Sequence, residues 1–229
     1  MRVVWLNWGL SEQDVEDMPP AVKRAFGFEA VVDSAEEIKD REAFDGQPHG
    51  VGVDKHGEVK HQGGHLLLEN GKDGKIYRGL GSPCGEVVGP DGTSIDAGRL
   101  LMKDTWNAAL YPPLDALYEE GKKLERNPDV LVDKNRMSGL WGGKTACDEF
   151  LEKEGIKTLL MTGVNTDQCV GGTFMDAFSK GYDCVLLSDG CGTSSPDFAQ
   201  QCFEFNAAKT FGFATSCEEL FKAVDKLDG

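Results

Sequence analysis

The chain has 229 residues and a net charge of −15, from 24 Lys+Arg against 39 Asp+Glu. That length suits one large domain with a substantial core. The charge excludes nucleic acid as a partner, because binding its phosphates needs basic residues to displace counterions.

No stretch approaches the ~20 continuous apolar residues of a membrane span. The apolar run after Arg2 is shorter than the roughly 7–15 residues of a secretory signal. A cytoplasmic chain with no membrane contact is therefore expected. The seven cysteines, at 84, 147, 169, 184, 191, 202 and 217, are odd in number and form no C-x-x-C pair. They read as reduced thiols, one of which can be present for its chemistry.

In chain order, Val3–Leu6 reads as a strand, and Ser34 with Glu37 can cap a short helix. From about residue 45 to 98 the chain is rich in Gly, Asp and Lys, with turn signals at Asn70-Gly71, Asp73-Gly74 and Asp91-Gly92. Leu66-Leu67-Leu68 and Ile76-Tyr77 can pair as a small hairpin there. This elaborated loop and hairpin region is too long for an ordinary connection and is expected near a binding site.

The second half alternates more clearly. Val130–Val132 is an apolar strand, and Thr145–Glu154 is helical in pattern and stops at Gly155. A strand at Thr158–Met161 precedes a helix at Val170–Ser179, and Cys184–Leu187 is the next strand. A helix then runs from Pro196 to about Ala208. Phe211–Ala214 makes a short last strand, and Ser216 with Glu219 caps a C-terminal helix. Strands apolar on both faces, alternating with helices, mean an α/β fold with a mainly parallel sheet.

Cys169 follows the Thr158–Met161 strand by one turn and opens the next helix. A helix N-terminus stabilises a thiolate there. The amides of the first turn can also stabilise an oxyanion. That is the chemistry of a nucleophile. The other six cysteines read as small apolar residues.

Gly163-Val164-Asn165-Thr166-Asp167-Gln168-Cys169-Val170, with Thr173, Asp176-Ala177 and Gly181-Tyr182, resembles the signature of the isochorismatase-like cysteine hydrolases. Lys134-Asn135-Arg136-Met137-Ser138-Gly139 resembles the lysine motif of that family, and Ser188-Asp189-Gly190 the strand end after its cysteine helix. The resemblance spans approximately residues 98 to 225. It implies a Rossmann-like three-layer α/β/α sandwich, here a single domain over residues 1–229, and an Asp–Lys–Cys triad without a metal or other cofactor. Cys169 is then the nucleophile, Lys134 the cation that holds the thiolate in register, and the amides of Asn165 and Cys169 the oxyanion hole. The Val164–Asn165 bond matches the position of the family's cis peptide. Trp106 and Asn107 fall in a segment that the resemblance places near the substrate, as an apolar wall and an amide handle. A core position for Trp106 is the alternative.

The triad acid has no counterpart at the expected place. The first strand ends in Asn7-Trp8-Gly9, which resembles the family's second strand. Either the chain is short of one strand and helix, or Asn7 stands where the acid should. Asp133 and Asp167 adjoin motif residues without matching the triad position. An open central strand position also leads us to expect a homo-oligomer.

Three other patterns read as structural. Ser138–Thr145 resembles a P-loop with Ser138 in place of the first glycine, but its Lys-Thr pair makes a natural helix start. Asp54, His56, His61 and His65 resemble a nicotinamidase metal site, yet they sit among glycines and lysines far from the strand that would carry it. Gly79-Leu80-Gly81-Ser82 lacks a strand–helix context. The expected function is cysteine-dependent hydrolysis of a small amide or vinyl-ether-like substrate. The alternative is a catalytically weak or inactive relative that binds a small molecule or a protein.

Overall fold

The computed structural model describes residues 1–29, 76–89 and 92–226. The chain divides into two compact units, Met1–Asn135 and Arg136–Gly229. Ser34, Glu37, Leu66–Leu68 and the His56, His61 and His65 group lie outside the described residues.

The first unit contains β1 (Val4–Trp8), α1 (Glu12–Asp17), α2 (Pro20–Lys23), β2 (Gly27–Glu29), β3 (Ile76–Arg78), β4 (Glu86–Val88), β5 (Ser94–Asp96), α3 (Leu114–Gly121) and β6 (Val130–Lys134). β1 runs parallel to β6 in a register that sets Val4 against Val130 and Trp8 against Lys134. A Ser11–Asp14 capping box starts α1 and satisfies its first amides. β3 pairs antiparallel with β2, with Tyr77 opposite Phe28, and β4 with β5 forms a hairpin around the Gly92 turn. Leu10, Leu80, Ala97, Met102 and Val132 are buried together with Trp8 and supply the core of this unit. Trp5 is fixed by its indole N–H, which donates to Asp129 Oδ2 at 2.9 Å, and by an edge-on contact with Tyr118.

The second unit contains α4 (Ala146–Lys153), β7 (Thr158–Val164), α5 (Gly171–Ser179), β8 (Asp183–Gly192), α6 (Asp197–Asn206), β9 (Phe213–Thr215) and α7 (Cys217–Asp225). β7, β8 and β9 form one parallel sheet in that order. Parallel strands with intervening helices are the Rossmann-like α/β construction expected from the sequence. Phe174, Ala177, Cys184 and Leu186 are almost fully buried between α5 and the sheet. Phe203 of α6 meets Phe174 edge to face, with centroids 5.8 Å apart. Gly171 allows this approach, since a Cβ there would lie 3.0 Å from the Phe203 ring and from the Thr166 carbonyl oxygen.

Several boundaries differ from the sequence expectation for physical reasons. β8 continues five residues past Leu187, to Gly192, because its end pairs with β7 at Gly163–Cys191 and Val164–Gly192. α6 ends at Asn206, where a wide π-type turn over Ala207–Phe211 carries the chain to β9. β9 begins at Phe213 because the π-type turn still takes in Phe211, and Gly212 ends it so close to the Cys184 carbonyl that no side chain fits.

Candidate active site

β7 delivers the cysteine motif to the edge of its sheet. Its last peptide, Val164–Asn165, is cis, at the position that the family resemblance implies. Asn165 then caps a π-type turn over Thr166–Val170, which runs directly into α5. The amides of Gln168 and Val170 both donate to the Asn165 carbonyl, at 3.1 Å each. Cys169 therefore sits half-buried in the opening turn of a helical segment, at the positive end of its peptide dipoles.

Neighbouring groups hold that turn. Thr173 Oγ1 donates to the Cys169 carbonyl at 2.8 Å and accepts from the Gly139 amide at 3.1 Å. This ties the turn to the Ser138–Thr145 loop. The Cys169 sulfur lies 3.2 Å from Met137 Sδ, so a soft, apolar thioether forms one wall beside the thiol. Thr166 is fully buried, and its hydroxyl has no hydrogen-bond partner among the described residues.

The other thiols of this unit sit in different surroundings. Burial pushes Cys147, Cys184 and Cys191 up to about 11. A hydrogen bond to the Asp189 carboxylate raises Cys217. Asp189 is itself held below the usual carboxylate range by the Cys217 backbone amide, which donates to it at 2.6 Å at the start of α7.

Lys134 ends β6 in the first unit and is 7% exposed. Its ammonium lies 3.7 Å from the centroid of the Trp8 ring. Lys134 and Cys169 belong to different units.

Trp106 and Asn107 form a 3-10 turn in the first unit. Trp106 is 51% exposed, so it is not a core residue. Asn107 commits its amide to its own loop. Its Oδ1 accepts from the Leu101 amide at 2.7 Å, and its Nδ2 donates to the Ala97 carbonyl, to the Arg99 carbonyl at 3.0 Å and to Thr105 Oγ1 at 3.1 Å. These bonds fasten the loop from Ala97 to Asn107.

The acids beside the motifs are engaged as well. Asp133 pairs with Lys103 at 2.6 Å, and Asp167 accepts from Thr193 Oγ1 at 2.6 Å. Asn7 donates to the Ala108 carbonyl at 2.6 Å.

The P-loop resemblance ends at Lys180, whose ammonium donates to the carbonyls of Gly142 and Gly143. A loop that turns these carbonyls toward a cation is built for packing, and Thr145 closes it as the N-cap of α4. Among the described residues, no group of three or more His, Cys, Asp or Glu could hold a metal ion. No helix among them is long and apolar enough to cross a membrane. Sequence reasoning missed Met137 as a neighbour of the thiol and the ties from Asp167 and Gln168 to the Thr193–Ser195 loop. The only local signal for those ties is a run of hydroxyl residues just past the end of β8.

A family model, the isochorismatase domain, matches residues 96–219. The ureidoacrylate amidohydrolase RutB of Rhizobium rhizogenes is 33% identical over 130 residues, covering 56% of this chain and 48% of that protein. The enzyme of the same name from Agrobacterium fabrum is 34% identical over 130 residues, covering 56% of this chain and 52% of its own. The chain thus spans about half the length of the curated relatives it matches. Among solved structures, an isochorismatase-like hydrolase from Alkaliphilus metalliredigens is 27% identical with a TM-score of 0.44, covering 55% of this chain and 63% of that one. The family model takes in the cysteine turn, the lysine motif and the strands that carry them, over more than half of the sequence: the chain belongs to the isochorismatase family.

Proposed function

We propose that the chain is a cofactor-free cysteine hydrolase, read as one domain, that cleaves a small amide or vinyl-ether-like substrate through a covalent intermediate on Cys169. The observation that carries this reading is the place of Cys169, half-buried in the opening helical turn after β7, inside the family-matched segment. The relatives named as ureidoacrylate amidohydrolases favour an amide or ureido group as the bond broken.

In this reading the Cys169 sulfur bonds to the substrate carbonyl carbon, and the developing oxyanion is met by the amides of Asn165 and Cys169. The carbon–nitrogen bond then breaks, and the leaving nitrogen takes up the proton that the thiol has lost. Water attacks the resulting thioester, releases the acid and returns the proton to sulfur. Lys134 supplies the positive charge that favours the thiolate, and Trp106 offers an apolar wall to the substrate.

A second reading, a catalytically weak binder, has one observation in its favour. Asp133 and Asp167, the acids adjoining the motifs, are already bonded to Lys103 and Thr193. Assays with ureidoacrylate, nicotinamide and isochorismate, with acid-quenched mass analysis of the Cys169 peptide, separate the two. The hydrolase reading expects turnover, an acyl adduct on Cys169, and loss of both in Cys169→Ala with an unchanged circular dichroism spectrum. Lys134→Ala should lower turnover. Retained hydrolysis in Cys169→Ala would overturn the nucleophile assignment, and saturable binding without turnover would favour the second reading.

A further inference from the structure

The two residues directly before Cys169 are Asp167 and Gln168. Both reach across to the loop that follows β8. Thr193 Oγ1 donates to Asp167 Oδ1 at 2.6 Å and accepts from the Ser195 amide at 3.0 Å. Gln168 Nε2 donates to Ser195 Oγ at 3.1 Å, and Gln168 Oε1 accepts from Asn165 Nδ2 at 3.3 Å. Asp167, Gln168, Thr193 and Ser195 thus form a clasp between the ends of two neighbouring parallel strands, with Asn165 joined to it.

The backbone needs such a clasp at this point. The β7–β8 register shifts between Met161 and Gly163, so the ladder is broken just before the cysteine motif. The turn itself is of the wide π type, with the Val170 amide bonded five residues back. An insertion of this kind is rare overall and frequent at functional sites. Reacting groups must be held within about 0.5 Å of their productive positions by packed and hydrogen-bonded neighbours.

We propose that Asp167 and Gln168 are positioning residues that, through Thr193 and Ser195, fix the turn carrying Cys169 and the Asn165 and Cys169 amides. This rests on the reading of Cys169 as the nucleophile. The clasp acts on the direction of the thiol and amides, so its loss lowers the rate of steps at sulfur and leaves substrate affinity nearly intact.

Thr193→Val tests it, because valine keeps the shape of threonine and removes only the hydroxyl. The expected result is a loss of about 10-fold or more in kcat with KM within about twofold, since small misplacements of reacting groups cost rate steeply. The rate of Cys169 alkylation by iodoacetamide, followed on its own peptide by mass spectrometry, should fall in parallel. Thr193→Ser restores both rates, and Asp167→Asn combined with Thr193→Val loses no more than the worse single variant. Ser194→Ala, an exposed neighbour outside the clasp, changes neither.

A lowered melting temperature with unchanged kcat and alkylation rate would reduce the clasp to a structural fastening and overturn the proposal. The alkylation rate needs no substrate, so it tests the clasp even if Cys169→Ala remains active and the hydrolase reading fails.

Discussion

The ammonium of Lys134 lies 3.7 Å from the centroid of the Trp8 indole, and the two residues are direct partners in the β1–β6 ladder. Both are buried, at 7% and 8% exposure. In parallel strands, register partners project to the same face, so the pairing alone brings cation and ring together. A desolvated ammonium on an indole face is stabilised by about 2 kcal/mol. Trp8 therefore gives the Lys134 side chain an aromatic face to rest on at the buried end of β6.

Trp8→Leu should destabilise the protein by about 3–5 kcal/mol, which combines loss of the ring contact with the large-to-small cost in a packed core. Trp8→Phe retains an aromatic face and should lose less than half of that. Urea midpoints of the two variants check the order. If both cost the same, the ring face contributes nothing to holding Lys134.

The parts of this protein that were legible in its sequence are those with local causes. Thr145 and Asp148 form a reciprocal cap, and Ser216 Oγ accepts from the Glu219 amide, so the starts of α4 and α7 could be read directly. α1 and α3 escaped notice because both are short, six and eight residues, and neither buries a residue. The extension of β8 through Ser188-Asp189-Gly190 is enforced by β7, and no local propensity announces it. The family resemblance is what singles out Cys169 and Lys134 in the sequence. The loop bonds of Asn107 were not legible, because an asparagine in a loop reads the same whatever its amide faces.

Thiol chemistry should sort the cysteines by environment. With Cys147, Cys184 and Cys191 near 11 and their thiols held by burial, about one in a thousand is ionised at pH 8. Peptide mapping after brief alkylation at pH 8 should therefore find label on Cys169 and on exposed Cys202, with these three labelled only on unfolding. Their pH linkage has a definite sign. The three thiols hold their protons more tightly folded than unfolded, so their contribution is complete below about pH 9 and is lost as pH rises from 9 toward 11. Urea midpoints at pH 8 and pH 10 should fall in that order. Replacing the three with alanine should flatten the difference, and an unchanged slope would show that their burial does not govern it.

Lys180 offers a sharper test of packing in the second unit. Its ammonium pairs with Asp148 Oδ2 at 3.1 Å while donating to the Gly142 and Gly143 carbonyls at 3.2 and 3.3 Å. The side chain of Asp148 is 5% exposed and that of Lys180 25%. One cation thus fastens the end of α5 to the loop before α4 and to the N-terminal cap of α4. Lys180→Met keeps the aliphatic stem but leaves a buried carboxylate without its counter-charge. Breaking a buried pair from one side typically costs 3–5 kcal/mol. Asp148 also accepts from the Thr145 amide and hydroxyl, both at 3.0 Å, so it retains hydrogen bonds, and the expected loss is about 3 kcal/mol. Asp148→Asn combined with Lys180→Met removes the uncompensated charge and should recover part of that loss. Chemical denaturation of the single and double variants reads both quantities. A double variant as unstable as the sum of the singles would show that Asp148 and Lys180 act independently.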